Sequence, residues 1–155
     1  MTPTVVYDCM IFVQAAANPA GPSGQCLRLV ESGGVRLAMS QAIRYEIHDV
    51  LGRPAVRAKV PAMTDARVAE ILAFIDFFAV QVPEVPSVCE FTRDPKDEKY
   101  LNLAVAASAG VIVSRDNDLL DLMKPDDADG TAFRAAHPTI VILDPAAFLA
   151  TLPTI

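Results

Sequence analysis

The sequence predicts an α/β fold, a three-layer α/β/α sandwich with a mostly parallel central sheet. Short apolar runs rich in Val and Ile alternate along the chain with longer segments whose apolar residues recur at helical spacing. Strands separated by helices pair in parallel, and the helices cover both faces of the sheet. Neither an internal repeat nor a long linker divides the 155 residues, so we expect a single domain over residues 1–155.

The first third of the chain predicts two strands, each followed by a helix. Residues 3–8 (PTVVYD) have the composition of a buried strand, and residues 22–34 predict a helix that two glycines end. Residues 35–40 (VRLAMS) predict the second strand. Its last residue, Ser40, is a favourable N-cap for a helix over residues 41–52.

The middle of the chain predicts a long helix, a short strand and another helix. Residues 53–61 predict a short helical turn or a loop. Thr64 is a favourable N-cap for a helix over residues 65–79, whose apolar residues share one face. Residues 79–83 (AVQVP) predict a strand, and a helix follows after a loop, over residues 97–109.

The last third predicts two more strands. Residues 110–114 (GVIVS) predict a buried strand, and Asp116 is placed to cap the helix that follows it. Residues 124–138 turn polar, which predicts an insertion or a mobile loop. Residues 139–144 (TIVILD) predict the final strand, and the Asp-Pro pair at its end is typical of a helix start.

Composition and charge exclude several classes of protein. Hydrophobic residues make up 52% and charged residues 21% of the chain, which is typical of a globular protein and not of a disordered one. No apolar stretch is long enough to span a bilayer, and the N-terminus lacks the basic region of a signal peptide. Three cysteines without metal-type spacing suit a reducing compartment, so we expect a cytoplasmic protein without membrane contact.

Acidic residues gather where the predicted strands end, which is where open parallel sheets bind ligands. These residues are Asp8, Glu46, Asp94, Asp97, Asp116 and Asp118. Carboxylates at one edge repel each other unless a divalent cation lies among them, and Mg²⁺ and Mn²⁺ select oxygen ligands. The net charge of −6 argues against bulk electrostatic binding of nucleic acid, but it is compatible with an acidic metal site.

Each of these acids also has a purely structural interpretation. Asp116 would cap a helix, Asp97 would suit the first turn of a helix, and Glu46 would be a solvated helix residue. Asp94 followed by proline is a common turn. The metal-site interpretation therefore depends on several acids meeting at one edge.

Four stretches of the chain together resemble the PIN domain, and more narrowly the VapC-like toxins of toxin–antitoxin modules. They are VVYDCMIF, SQAIRYEIHDVLGRP, CEFTRDPKDEKYLNLAVAASAGVIVSRDNDLLDL and TIVILDPAAFL. The resemblance spans nearly the whole chain in the family's order. It implies a nuclease that cleaves RNA phosphodiesters at a carboxylate-held Mg²⁺ or Mn²⁺ site and leaves a 5′-phosphate. It also implies a cognate antitoxin as partner, and a homodimer.

The resemblance assigns roles to individual residues. The catalytic acids that it implies are Asp8, Glu46, Asp97 and Asp116. The metal ligands that it implies are Asp8, Asp97, Asp116 and Asp118. Ser114 matches the motif's hydroxyl residue, Glu98 is a neighbour that could substitute for Asp97, and Asp94 is expected to shape its loop more than to bind metal.

The sequence departs from the family after its first acid. The family usually has a small hydroxyl residue and then Asn at these positions, where this chain has Cys9 and Met10. A thiol is a weak hydrogen-bond partner, and a thioether matches Mg²⁺ poorly. The departure favours an alternative function, in which the fold has lost activity and acts as a regulatory or binding module.

Two other enzyme and binding classes have less support. A phosphatase of the doubly wound type would need a second acid two residues after Asp8, where this chain has Met10. The glycines form neither a dinucleotide fingerprint nor a P-loop, which argues against a nucleotide-binding module.

Five basic residues near the acids in sequence are candidates for binding phosphates, with surface ion pairs as their alternative role. They are Arg44, Arg93, Lys96, Lys99 and Arg115. Phe74, Phe77 and Phe78 are candidates for a dimer interface or for core packing.

Overall fold

In the computed structural model, which describes residues 2–153, a five-stranded parallel sheet has the strand order β3-β2-β1-β4-β5. The strands are β1 (Thr4–Tyr7), β2 (Arg36–Met39), β3 (Val80–Gln81), β4 (Val111–Val113) and β5 (Val141–Leu143). Helices cover the sheet as a three-layer α/β/α sandwich, so the predicted fold class is confirmed.

The strand order reverses beside β1. Thr4 of β1 pairs with Arg36 of β2, and Val5 of β1 pairs with Val111 of β4. The chain winds outward from β1 to β2 and β3, and then crosses back to build β4 and β5 on the other side. The carboxyl ends of β1 and β4 therefore flank the crevice at which open α/β sheets bind their ligands.

Several predicted helix starts are confirmed by their capping hydrogen bonds. The Ser40 hydroxyl accepts from the backbone N–H of Ile43 at 3.3 Å, and the Thr64 hydroxyl accepts from that of Arg67 at 3.2 Å. The helices are α1 (Cys9–Ala17), α2 (Pro22–Glu31), α3 (Gln41–Gly52), α4 (Pro54–Lys59), α5 (Asp65–Phe78), α6 (Glu98–Ala106), α7 (Asn117–Leu120), α8 (Ala128–Ala136) and α9 (Pro145–Ala150). None of the helices formed within residues 2–153 is long and apolar enough to cross a membrane.

The first helix is absent from the sequence prediction. Helix α1 begins directly after β1, and its sequence CMIFVQAAA carries apolar side chains on nearly every side. Ile11 and Phe12 are fully buried in it. Because α1 lacks a polar face, its apolar residues show no helical period, and the segment gives no amphipathic signal.

The prediction of a loop over residues 124–138 is wrong, because α8 occupies most of that segment. The Asp127 carboxylate caps α8 by accepting from the backbone N–H of Gly130 at 2.7 Å. Arg134 donates to the backbone carbonyl of Lys124 at 3.0 Å, and Phe133 is buried against the core. One large apolar residue, Phe133, in an otherwise polar segment does not give the periodic pattern from which a helix can be predicted.

The core lies on both faces of the central strands. Val5, Val6 and Ile112 are fully buried in the sheet, and Leu103 of α6 is fully buried in the helical layer. On α5, Phe74 and Phe78 pack against this core, with their ring centroids 5.0 Å apart. Phe77 is 80% exposed, so α5 carries one large aromatic side chain on its outer face.

Candidate metal centre

Asp8 is held at the carboxyl end of β1 by hydrogen bonds from two other segments. Its carboxylate accepts from the backbone N–H of Met10 at 3.1 Å and from that of Arg115 at 3.2 Å. The Ser114 hydroxyl donates to the same carboxylate. Burial raises the pKa of Asp8 to about 6, although these hydrogen bonds act to lower it.

The carboxyl end of β4 supplies the next acid. Ser114 is fully buried, and its hydroxyl accepts from the backbone N–H of Asp116 at 2.9 Å. Asp116 then caps α7 by accepting from the backbone N–H of Asp118 at 2.9 Å. The capping role that the sequence suggests for Asp116 is therefore confirmed, and its carboxylate also meets other acids.

Three carboxylates come together at this edge of the sheet. Asp94, Asp97 and Asp116 each offer an oxygen atom, and these atoms all lie within 4.8 Å of one another. Asp94 and Asp97 belong to a single 3₁₀ turn, in which the backbone N–H of Asp97 donates to the Asp94 carbonyl at 3.0 Å. Asp94 thus shapes its loop, as expected, and in addition places its carboxylate in the acidic group.

Asp97 is the buried member of this group. It is 8% exposed, and its Oδ2 atom forms no hydrogen bond within the part of the chain that the structure describes. Burial raises the pKa of Asp97 well above its ordinary range, and the nearby negative charges of Asp116, Asp94 and Asp8 add to the effect. An orphaned buried carboxylate oxygen among like charges is costly unless a cation or a proton accompanies it.

The chemistry of these donors fits a hard divalent cation. Every side chain in the three-acid group is a carboxylate, which suits Mg²⁺ or Mn²⁺ and not a metal that prefers sulfur or imidazole. The unpaired Asp97 oxygen supplies a free ligand atom in the interior of the group. The residues present therefore fit the metal that the family resemblance implies.

Glu46 lies outside the three-acid group and has partners of its own. Lys99 Nζ lies 2.6 Å from its Oε2 atom, and the Tyr100 hydroxyl donates to its Oε1 atom. Tyr100 is 1% exposed, and its hydroxyl also accepts from the backbone N–H of Cys9 at 3.1 Å. Sequence reasoning missed Tyr100, since nothing in a tyrosine on an apolar helix face signals a hydrogen bond to a distant glutamate.

The remaining sequence candidates have mainly local contacts. Glu98 accepts from the backbone N–H of Phe91 at 2.9 Å, so its carboxylate braces the loop before Asp94. Asp118 contributes its backbone N–H to the Asp116 cap, and its carboxylate is not part of the three-acid group.

Cys9 and Met10, the two residues that depart from the family pattern, begin α1 beside the acids. Burial raises the pKa of the Cys9 thiol to about 12, and the negative charges of Glu46 and Asp8 reinforce the shift. The Met10 side chain is 36% exposed, and only its backbone N–H contacts Asp8.

Three of the five candidate phosphate-binding cations are already paired with acids. Arg44 binds both carboxylate oxygens of Asp76, at 2.7 and 2.8 Å. Arg93 binds two acids of the α8 region, Asp127 at 2.9 Å and Asp129 at 3.1 Å. Lys99 pairs with Glu46, as described above.

The other two candidates, Lys96 and Arg115, are exposed and form no salt bridge within residues 2–153. An unpaired cation can bind a phosphate without first giving up an acidic partner. These two residues are therefore the better placed of the five for binding a polyanion.

Comparison with known proteins gives two findings. Residues 4–118 match a family described as the PIN domain, a range that includes Asp8, Glu46, the three-acid group and Asp118. The chain is also 31% identical over 120 residues to an uncharacterized protein of Methanocaldococcus jannaschii. That similarity covers 76% of this chain and 74% of the relative.

Proposed function

The chain belongs to the PIN domain family, whose members are generally metal-dependent nucleases, and from this premise we propose that it is a metal-dependent endoribonuclease. The observation that carries the proposal is the buried Asp97 carboxylate, whose Oδ2 atom lacks a hydrogen-bond partner in the described chain while Asp94 and Asp116 lie beside it. Carboxylates in this arrangement repel each other, and a divalent cation would offset that repulsion.

We assign the metal to the edge of the sheet where β1 and β4 end. Asp97 and Asp116 would hold Mg²⁺ or Mn²⁺ together with Asp94, and Asp8 and Asp118 would be further ligands of the same site. When bound, such an ion supplies a water of lowered pKa and offsets the charge that builds on the scissile phosphate.

The protein side chains have distinct tasks in this proposal. Ser114 bridges Asp8 to the backbone of Asp116, which fixes the acids of two strands relative to each other. Lys99 and Tyr100 hold both oxygens of Glu46, so this carboxylate has one orientation from which to accept a proton from the attacking water. Asp8 and Asp97 are buried, and the low dielectric around them strengthens their interaction with bound charge.

The biological role that we propose is that of the toxin in a type II toxin–antitoxin system. It is supported by the resemblance of the four sequence stretches to VapC-like toxins. RNA would be the substrate, a cognate antitoxin the partner, and the cytoplasm the location. We further propose that residues 1–155 act as one domain, and that exposed Phe77 contributes to a homodimer.

A second candidate function is a regulatory or binding module without nuclease activity. It is favoured by Met10, a partly exposed thioether at the position where the family usually has an amide. A thioether neither orients a carboxylate nor donates to a phosphate. In this alternative the acids would still bind metal, but RNA would not be cut.

The proposal is tested by incubating purified protein with a panel of structured and single-stranded RNAs in Mg²⁺, Mn²⁺ or EDTA. Asp116→Asn serves as the site variant, and Asp49→Asn as the control, since Asp49 pairs with Arg53 on the exposed side of α3. Cleavage that EDTA and Asp116→Asn abolish and Asp49→Asn preserves is the expected result. Metal binding without cleavage by any of the three proteins would favour the regulatory module.

A further inference from the structure

A cavity of about 330 Å³ opens at the same edge of the sheet as the metal centre. It lies at the carboxyl ends of β4 and β5, between the first residues of α2, α7 and α9. Its lining includes Pro22, Arg115, Asn117, Leu120, Asp144 and Pro145. Arg115 and Asn117 flank Asp116 in sequence, so two residues of the cavity wall are chain neighbours of a proposed metal ligand.

The main chain of Arg115 is held in place by a hydrogen bond, whereas its side chain is exposed to solvent. Its backbone N–H donates to Asp8 at 3.2 Å, which sets the position of its main chain relative to the acids. Its side chain is exposed and forms no salt bridge within residues 2–153, unlike Arg44 and Arg93. A guanidinium beside an acidic site favours phosphate, which it can bind through two hydrogen bonds.

The other walls of the cavity suit a nucleobase. Pro22, Leu120 and Pro145 offer apolar surface on which a flat ring can pack. Asp144 uses its Oδ1 atom to cap α9, at 2.7 Å from the backbone N–H of Ala147, and its Oδ2 atom can accept a hydrogen bond from a ligand. Asn117 adds an amide that can donate and accept.

We propose that this cavity is the subsite for the nucleotide next to the scissile phosphate. Arg115 binds the phosphate of that nucleotide, and Asn117 and Asp144 contact the edge of its base. The proposal deepens the proposed function and rests on it, because it identifies where RNA lies relative to the metal. The cavity volume is sufficient, since ligand pockets begin at about 300 Å³.

The carboxylate of Asp144 gives the subsite a base preference. An ionised carboxylate only accepts hydrogen bonds, so it favours the exocyclic amines of adenine, cytosine and guanine. Uracil offers one N–H between two carbonyl oxygens, which the carboxylate repels. Nucleotides that carry an exocyclic amine should therefore bind more tightly than uridine nucleotides.

The test is an NMR titration of ¹⁵N-labelled protein with AMP, CMP, GMP or UMP, carried out in EDTA. At least one amine-bearing nucleotide is expected to shift the resonances of Arg115, Asn117 and Ala146, with UMP weaker. Arg115→Ala should weaken binding about tenfold, since it removes a charge-assisted hydrogen bond. Arg53→Ala is the matched control and should leave binding unchanged, because Arg53 is paired with Asp49 and does not line the cavity.

A second variant tests the base contact. Asp144→Asn retains a good N-cap for α9 and removes the negative charge, so it should abolish the discrimination against UMP without loss of folding. The subsite is refuted if no nucleotide shifts these resonances, if Arg115→Ala binds as tightly as wild type, or if UMP binds as well as the others. Because the titration contains no metal, its outcome is independent of whether the protein cleaves RNA.

Discussion

At the scale of single residues, Asp97 combines burial with three acidic neighbours and an oxygen atom that has no hydrogen-bond partner among the described residues. Such a residue lowers the stability of the metal-free protein, because its charge is neither solvated nor paired. The same features are favourable if they bind a cation. Removing the charge of Asp97 should therefore raise the free energy of unfolding of the metal-free protein and lower its affinity for metal.

Asp97→Asn is expected to stabilise the metal-free protein. The amide has nearly the same shape, and its N–H groups can donate to the neighbouring carboxylates, so the free energy of unfolding in EDTA at pH 7.5 should rise by about 1 to 2 kcal/mol. Urea unfolding followed by circular dichroism measures the change. Asp49→Asn is the control, and its free energy of unfolding should not rise. An Asp97→Asn protein that is less stable than wild type would refute the role proposed for Asp97.

Tyr100→Phe tests whether the tyrosine hydroxyl positions Glu46. Tyr7→Phe is a matched control, because the Tyr7 hydroxyl is also buried but donates to the Cys26 carbonyl at 2.9 Å, outside the site. Tyr7→Phe loses one hydrogen bond and Tyr100→Phe loses two, each worth about 1 kcal/mol of stability. Only Tyr100→Phe should lower kcat for RNA cleavage, by about tenfold or more and with little change in KM. Equal kcat values for the two variants would contradict the positioning role.

The positions of some of these acids could be predicted from the sequence, and those of others could not. Asp8 and Asp116 follow apolar strands directly, so their convergence could be predicted from strand ends alone. The partners of Glu46 could not, since Tyr100 and Lys99 reach it from a helix more than fifty positions away in sequence. The participation of Asp94 depends on the 3₁₀ turn of residues 95–97, which has no sequence signature beyond its proline.

At the scale of elements, the first turn of α2 packs closely against the backbone of the turn that joins it to α1. A Cβ atom on Gly24 of α2 would lie 2.0 Å from the carbonyl oxygen of Pro19, which is backbone and cannot rotate away. Gly24→Ala is therefore expected to destabilise the protein by about 2 kcal/mol or more. Gly52→Ala is the control, since a Cβ there meets nothing within 4 Å, and it should be neutral or slightly stabilising.

Thermal unfolding of the two glycine variants checks this prediction. Equal melting temperatures for Gly24→Ala and Gly52→Ala would mean that α2 can shift away from the Pro19 backbone without cost. Helix α1, although it lacks an amphipathic pattern, is stabilised by the burial of most of its residues in the core.

Helix α8 shows why a polar segment can still be ordered. Arg93 binds Asp127 and Asp129, and its guanidinium lies 5.6 Å from the Phe91 ring centroid. These contacts tie α8 to the loop that carries Asp94, one residue after Arg93. The sequence pattern could not predict the helix, because the interactions that hold it are ionic and distant in the chain instead of periodic.

At the scale of the whole molecule, the parallel sheet places the acids of β1 and β4 side by side at its point of strand-order reversal. This placement follows from topology and was predictable from the alternation of strands and helices. It also couples the stability of the whole fold to the protonation of the site, because Asp8 and Asp97 both have raised pKa values.

The metal-free protein should be more stable at pH 5 than at pH 7.5. The pKa of Asp8 rises from 3.8 to about 6 on folding, so the folded state binds the proton more tightly. Stability is therefore lost as the pH rises from 3.8 through about 6, and Asp97 extends the loss to higher pH. Urea midpoints in EDTA measure this trend, which saturating Mn²⁺ should reverse. Higher stability at pH 7.5 in EDTA would contradict the raised pKa values.

Calorimetric titration of Mn²⁺ into the protein at pH 7.5 tests the central claim, that the acids at this edge form a metal centre. Glu98→Gln is the matched control, since Glu98 adjoins Asp97 but accepts from the backbone of Phe91. Saturable binding by wild type and Glu98→Gln, weakened about tenfold or more in Asp97→Asn, is the predicted result. Equal affinities in all three proteins, or the absence of binding in wild type, would contradict it.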